Sequence, residues 1–579
     1  MLGFILGGIL LLFLLVGIVG ALISQSDKNE KETLSEQTIL LVNLDGPITD
    51  RGSDNPFENF DLESFSANKN VGLVNLLAGI KAAETDPNIS GMLLEVPSIQ
   101  IGMASLSEIR TALLQFRKSG KFIYAYSESY SVGAYYLATV ANKIILNPQG
   151  ELSFAGLAST FVSLKGALEK LEVEPVVIRH GKFKSAVEPF IADHISESNR
   201  KQMRVMQSAA WNEMLSGICK ERKLDAATLN RYAETLAIRN ANDALKNKMV
   251  DGLQYRNDLI GELTEKTGRS RTAKPRLTDL ADYASDRNLV PDGKGPDKIA
   301  LIYASGEIES GKGDEKSIGG DRLAEAIRDA RLDDKVKALV LRVNSPGGSA
   351  LASDVIWHEL VEAKKTKPVV VSMGDVAASG GYYISCPATR IFASPLTITG
   401  SIGVFGLFFN VDKTLRNKLG ILTDTIRTHR LADLGSSTRP ITEEEKAILQ
   451  QSVEEVYSTF IQRVSDGRKI KTADVDSLGQ GRVWLGVNAK NLGLVDAFGG
   501  INDALAEAAK LAKISQYRLM ELPRRKPAVE QFLSSLSGDV EERMARAHIG
   551  EAYPYYRKIK STLHQQGIMA RMELDMQWH

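Results

Sequence analysis

The chain is written twice. "TILLVNLDGPI" (38–48) returns as "KIALIYASGEI" (298–308), and "GMLLEVPS" (91–98) returns as "ALVLRVNS" (338–345). "YYLATVANKIILNP" (135–148) matches "YYISCPATRIFASP" (382–395) without a gap. "ISESNRKQM" (195–203) stands where "ITEEEKAIL" (441–449) stands, and "NANDALKNKMVDGL" pairs with "GVNAKNLGLVDAFG". Most pairs are offset by 246 or 247 residues; the first is offset by 260, so the early loop of the first copy is about 13 residues longer. Strand-like apolar runs alternate with helical patterns inside each copy. Repetition on this scale restricts the chain to two copies of one α/β unit with a mainly parallel sheet.

The expected organisation follows. An N-terminal repeat covers 38–275, a Pro-, Gly- and Asp-rich linker covers 276–296, and a C-terminal repeat covers 297–515. A tail, 516–579, matches neither copy; its segments "AVEQFLSSL", "RMARAHIGEAYPYYRKIK" and "QQGIMARMELDMQW" read as a helix pair for subunit or membrane contact, or as a capping segment. The first 23 residues carry no charge, long enough to span a bilayer and longer than the apolar region of a signal peptide. A transmembrane anchor is expected over 1–25, with a polar linker over 26–37. Lys28 and Lys31 follow the run among acids and do not orient it.

Composition excludes more than it suggests. Lys plus Arg and Asp plus Glu balance at 71 each, which argues against a nucleic-acid partner. Cys219 and Cys386 have neither metal-ligand nor disulfide-scaffold spacing, and no nucleotide motif is present, so neither metal nor cofactor is expected.

Duplication separates what the fold needs from what chemistry needs. Ser379 of "DVAASGGYYIS" aligns with Val132, so packing does not require the serine. "NSPGGSA" (344–350) aligns with "PSIQIGM" (97–103), and Ser401 aligns with Phe154. Only the second copy holds the serine and the glycine loop. Ser379 at the end of an apolar strand is either a helix N-cap or a nucleophile. The glycines after it favour chemistry, because they leave helix N-terminal N–H groups open to an anion. A serine nucleophile needs a base. His429 is the sole histidine between Ser379 and the end of its copy, in an unremarkable "RTHRLAD". Lys184, in "RHGKFKSAVEPF" of the first copy, aligns with Arg430; buried lysine can lose its proton, whereas arginine cannot. Lys182 is the competing lysine.

Together "NSPGGSALAS", "DVAASGGYYIS", "TGSIGVFG" and "GKFKSAVEPF" resemble the bacterial signal peptide peptidase A (protease IV) family in its long, duplicated form, over about residues 1–515. The resemblance implies tandem Clp-protease/crotonase-like domains, each a repeated ββα superhelix, behind an N-terminal transmembrane helix. It implies Ser379 as nucleophile, Lys184 as general base, Gly380 and Gly348 as oxyanion donors and Ser401 as support for the lysine. It also implies a homotetramer held in the bacterial inner membrane, with its catalytic bulk on the extracytoplasmic side. There it would degrade signal-peptide remnants and other short apolar peptides without a cofactor. Two other readings of the same fold are an acyl-CoA enzyme and a non-catalytic membrane scaffold.

Overall fold

The computed structural model describes residues 34–525 and 567–572, apart from 45–47, 53–59, 62–65, 68–70, 98 and 286–294. The expected anchor over 1–25 and most of the tail lie outside the described residues. Among the described residues, no helix is long and apolar enough to cross a membrane.

The first half lays down β1 (Thr38–Val42), β2 (Ile89–Glu95), β3 (Phe122–Tyr130), α1 (Val132–Ala138) and β4 (Lys143–Leu152). The strands pair in parallel in the order β4-β3-β2-β1. Chain expected as linker extends this sheet, since Leu277–Asp279 pairs beside β1 and the helix Leu280–Ala284 packs under it. Then β5 (Glu174–Arg179) leaves the sheet, and α2 (Glu197–Arg222) follows.

The second half repeats the plan with β6 (Lys298–Ser305), β7 (Val336–Ser345), the short β8 (Gly347–Ser349), β9 (Val369–Ala378), α3 (Gly380–Ser385), β10 (Ile398–Gly400), β11 (Phe405–Asn410) and α4 (Glu443–Arg468). Strands β6, β7, β9 and β10 pair in parallel. "ALVLRV" and "VVVSM" are buried along their whole length, as a sheet covered on both faces requires. Tail residues Arg518–Leu522 close the far side, parallel to β6.

Matching sequence positions do matching structural work. Ser196 caps α2 and Thr442 caps α4; both helices are 26 residues long, and both end on a left-handed lysine, Lys223 at φ 56° and Lys469 at φ 59°. Tyr135 in α1 donates its hydroxyl to Met249 O at 2.7 Å, and Tyr382 in α3 donates to Leu494 O at 3.0 Å. Burying a tyrosine requires such a partner for its hydroxyl, which is why each aromatic pair comes with its own C-terminal loop.

A third sheet belongs to neither half. Its order is Ser317–Gly319, Glu307–Glu309, β8, β12 (Gly567–Arg571), β11 and β5. It draws β5 from the first half and β8 and β11 from the second. The tail supplies β12, a strand where a helix or cap was expected. "GIMAR" extends because two strand edges flank it, and their backbone groups offer pairs that an isolated five-residue helix would lack.

Candidate active site

The lysine arrives by a crossing. β5 runs antiparallel to β11, from Glu174 opposite Asn410 to Arg179 opposite Phe405. The chain then stays on the second half: His180 N donates to Val404 O at 3.2 Å and Phe183 N to Gln480 O at 3.0 Å. Lys184 follows and ends 1% exposed. Gly481 backs directly onto it; a Cβ at Gly481 would stand 2.6 Å from the Lys184 Cβ. Glu188, buried just beyond, accepts from Asn199 Nδ2 at 2.9 Å and ties this turn to the start of α2. Lys184 Nζ lies 2.8 Å from Ser379 Oγ, 3.1 Å from Ser401 Oγ and 3.3 Å from Ser401 O. These partners are hydroxyl and carbonyl oxygens. Burial therefore acts on the amine without a counter-charge and pushes its pKa well below the ordinary lysine range.

Ser379 stands in the N-cap position of α3 but does not cap it. Its backbone is held at φ 54°, ψ −114°, a conformation costly for a residue with a side chain. That turn points Oγ away from the helix N–H groups and toward Lys184 at 2.8 Å, with Gly403 O at 3.3 Å as an alternative acceptor for its proton. In the first half, α1 begins at Val132 behind Ser131, which has an ordinary extended backbone at φ −70° and accepts from Ala134 N. The N-cap reading of the serine thus holds for Ser131 and fails for Ser379. Ser401 is strained in the same sense, at φ 49°, with its N–H donating to Arg482 O at 2.7 Å.

The two glycine segments converge. Gly347 in β8 has φ 98°, and a Cβ there would stand 2.6 Å from Gly380 N. A Cβ at Gly380 would lie 3.1 Å from Gly347 Cα and 2.7 Å from Ser353 Oγ. Gly348 pairs with Ile308, and a Cβ on it would collide with the Ile308 carbonyl. The close approach of these backbones excludes side chains where Gly347 meets Gly380, the residue after Ser379. Ser379, Lys184, Ser401, Gly380 and Gly348 are therefore brought together. The competitors lie elsewhere: Lys182 and His429 are exposed, and Arg430 is exposed against Glu444.

Some contributors escaped the sequence reading. Asp375, at the start of "DVAASGG", accepts from Ala104 N at 2.9 Å, Ser105 N at 2.9 Å and Ser105 Oγ at 2.7 Å, so it caps a helix of the other half. Arg342 on β7 is fully buried and pairs with Asp50 and Glu108 of the first half, each at 2.7 Å. These contacts lock the halves in the one orientation that carries Lys184 to Ser379. Their signal was weak, because each partner lies far away along the chain with no repeat to mark it.

The profile described as Peptidase family S49 matches residues 115–269 and again 362–515. Protease 4 of Salmonella typhi is 39% identical over 532 residues, covering 89% of this chain and 85% of that protein. Protease 4 of Haemophilus influenzae is 35% identical over 513 residues, covering 86% and 83%. The chloroplastic serine protease SPPA of Arabidopsis thaliana is 34% identical over 487 residues, covering 82% and 71%. Among solved structures, a ClpP1 mutant from Listeria monocytogenes overlaps 35% of this chain and 94% of its own at 16% identity, with a TM-score of 0.23.

Proposed function

The chain belongs to peptidase family S49 and is a serine peptidase, and from that premise we propose that it is a membrane-anchored endopeptidase working through a Ser379–Lys184 dyad. The observation that carries this reading is the 2.8 Å approach of a buried lysine amine to the oxygen of a strained serine. A neutral amine has two N–H donors and one lone pair. With the N–H groups spent on Ser401 Oγ and Ser401 O, the lone pair is left for the Ser379 hydroxyl proton.

The mechanism follows. Lys184 takes the proton as Ser379 Oγ attacks a peptide carbonyl. Gly380 and Gly348 N–H groups hold the oxyanion, helped by the positive end of α3. Lys184 returns the proton to the leaving amine, and water activated by the same amine then hydrolyses the ester. Apolar peptides suit the site, because an apolar chain keeps the lysine dry and therefore neutral. Cleaved signal peptides are the substrates proposed. The proposal extends to repeated Clp-protease/crotonase-type domains and a homotetramer. It also includes a single N-terminal span in the bacterial inner membrane, with the catalytic part outside the cytoplasm.

The test is hydrolysis of a short apolar fluorogenic peptide from about pH 6 up to about pH 10, near the ordinary lysine pKa. Ser379→Ala and Lys184→Ala should abolish it, while Lys182→Ala and His429→Ala keep it. Near-normal turnover by Lys184→Ala would place the base elsewhere.

A further inference from the structure

The turn that carries Lys184 is closed by a clamp outside the dyad. The His180 ring lies flat on the Tyr457 ring, with centroids 3.8 Å apart and planes 23° from parallel. His180 Nδ1 lies 2.6 Å from Glu454 Oε2, and Glu454 Oε1 accepts from Gln450 Nε2 at 2.7 Å. Glu454 and Tyr457 stand on one face of α4, three residues apart. The Tyr457 hydroxyl donates to Asp476 Oδ1 at 2.6 Å and accepts from Gln480 N at 3.2 Å. Gln480 in turn accepts the Phe183 N–H, and Gly181 packs on it so closely that a Cβ there would stand 2.5 Å from the Gln480 carbonyl. Gly481, the next residue, backs onto Lys184. The circuit therefore runs from His180 through Tyr457 and Gln480 back to Phe183 and Lys184.

The duplication separates frame from addition. Trp211 on α2 occupies the Tyr457 position and Asn230 the Asp476 position, and Trp211 Nε1 donates to Asn230 Oδ1 at 2.7 Å. Both copies thus share the aromatic residue and its partner. They do not share the histidine and the glutamate: Ile426, fully exposed, stands in the His180 position, and Ser208 in the Glu454 position. The pair occurs only on the turn that carries a lysine to a serine, and that lysine needs cover. Ser379, Ser401 and the Phe405 ring face its amine, and among the described residues no charged side chain pairs with it. Burial alone holds its pKa down, so water admitted to Nζ raises it toward the ordinary lysine range. His180 is a quarter exposed and Glu454 nearly half, so the clamp is the solvent-side end of the circuit and Lys184 its buried end.

We propose that His180 is a positioning residue for the general base: stacked on Tyr457 and paired with Glu454, its imidazole holds the 180–184 turn shut and keeps water from the Lys184 amine. This rests on the Ser379–Lys184 reading above. The imidazole acts through the turn alone, and the proton of Ser379 still passes to Lys184 Nζ. An opened clamp leaves both dyad residues in the chain but wets the amine. The lysine then stays charged to higher pH, and at a given pH fewer molecules hold a usable base.

The experiment is the pH dependence of kcat/KM on the apolar fluorogenic peptide for the full-length chain in detergent, with a thermal melt of each variant. His180→Ala should move the rise in kcat/KM by about one pH unit toward the ordinary lysine pKa, an about tenfold loss below the rise, with the high-pH plateau kept. Glu454→Ala should move it the same way. His180→Phe retains a stacked ring and should hold the rise near its wild-type place, and Ile426→Ala, the same truncation in the other copy, should not move it. A merely structural role would lower the melt and the plateau together and leave the rise in place. An unshifted rise in His180→Ala, or in Glu454→Ala should the first not fold, overturns the positioning role and leaves the dyad standing. A rise shifted as far in His180→Phe as in His180→Ala overturns the stacked ring as the cover. Turnover by Lys184→Ala overturns the dyad and the positioning role with it.

Discussion

The most direct probe of the oxyanion corner is one substitution made at the same place in both halves. Gly380 and Gly133 occupy equivalent positions in α3 and α1. At Gly133 an added Cβ meets only Leu106 Cδ2, at 3.8 Å, an ordinary contact. Gly133→Ala should therefore leave turnover unchanged and stabilise the helix by up to about 1 kcal/mol, the usual Ala-over-Gly difference. At Gly380 the same methyl meets Ser353 Oγ at 2.7 Å, the Ala570 carbonyl oxygen at 3.0 Å and Gly347 Cα at 3.1 Å. The hydroxyl can rotate away, but the Gly347 backbone cannot, and the carbonyl position is the one a substrate needs. The methyl thus displaces the oxyanion and its N–H donor from each other. Loss of one such donor costs about 10²–10³ in kcat, or about 2.7–4 kcal/mol of transition-state stabilisation. The assay is kcat and KM on the apolar peptide with a thermal melt of each variant, which separates lost chemistry from lost fold. A Gly380→Ala enzyme with unaltered kcat, or a Gly133→Ala enzyme equally impaired, would refute the assignment of this corner.

Further outcomes follow from two buried basic groups, Lys184 and Arg342. Because burial holds the Lys184 pKa low, kcat/KM should climb as pH rises through that lowered value and then level off. The unfolded lysine keeps its proton up to the ordinary lysine pKa. The folded state therefore gains stability as pH rises from the lowered value toward the ordinary one, and loses it as pH falls. Lys184→Met should abolish turnover and flatten that part of the stability profile, measured by melts across pH. Arg342→Met should cost about 3–5 kcal/mol in urea unfolding, because it strands the Asp50 and Glu108 carboxylates without their cation. Replacing all three by apolar residues of similar volume should restore most of the loss.

Much of this architecture was legible because the chain carries its own comparison. Val132 beneath Ser379 and Arg430 beneath Lys184 exposed two departures from a shared plan, and the structure puts the departing residues 2.8 Å apart. What escaped had no repeat to stand against. "GIMAR" is five residues in a tail without a counterpart, and its extended form comes from the edges of β8 and β11, not from its own pattern. Nothing in the pattern around Asp375 marks its partner, because its carboxylate serves a helix 270 residues earlier. The backbone of Ser379 was hidden for a different reason: a positive φ at a non-glycine is imposed by surroundings, here β10 through Gly400 O accepting from Ser379 N at 2.8 Å.

The mixed parentage of the third sheet has a consequence for how the protein comes into being. Lys184 and Ser379 are separated by 195 residues of chain, which a ribosome adding about 5–20 residues per second needs roughly 10–40 s to produce. Gln480, whose carbonyl takes the Phe183 N–H, emerges later still. Throughout that interval the first half exists with a lysine that has no pocket to neutralise it, and so remains an ordinary solvated cation. Hydrolytic competence is thus withheld from the nascent chain and granted only near the end of synthesis, which protects the emerging polypeptide from its own finished product.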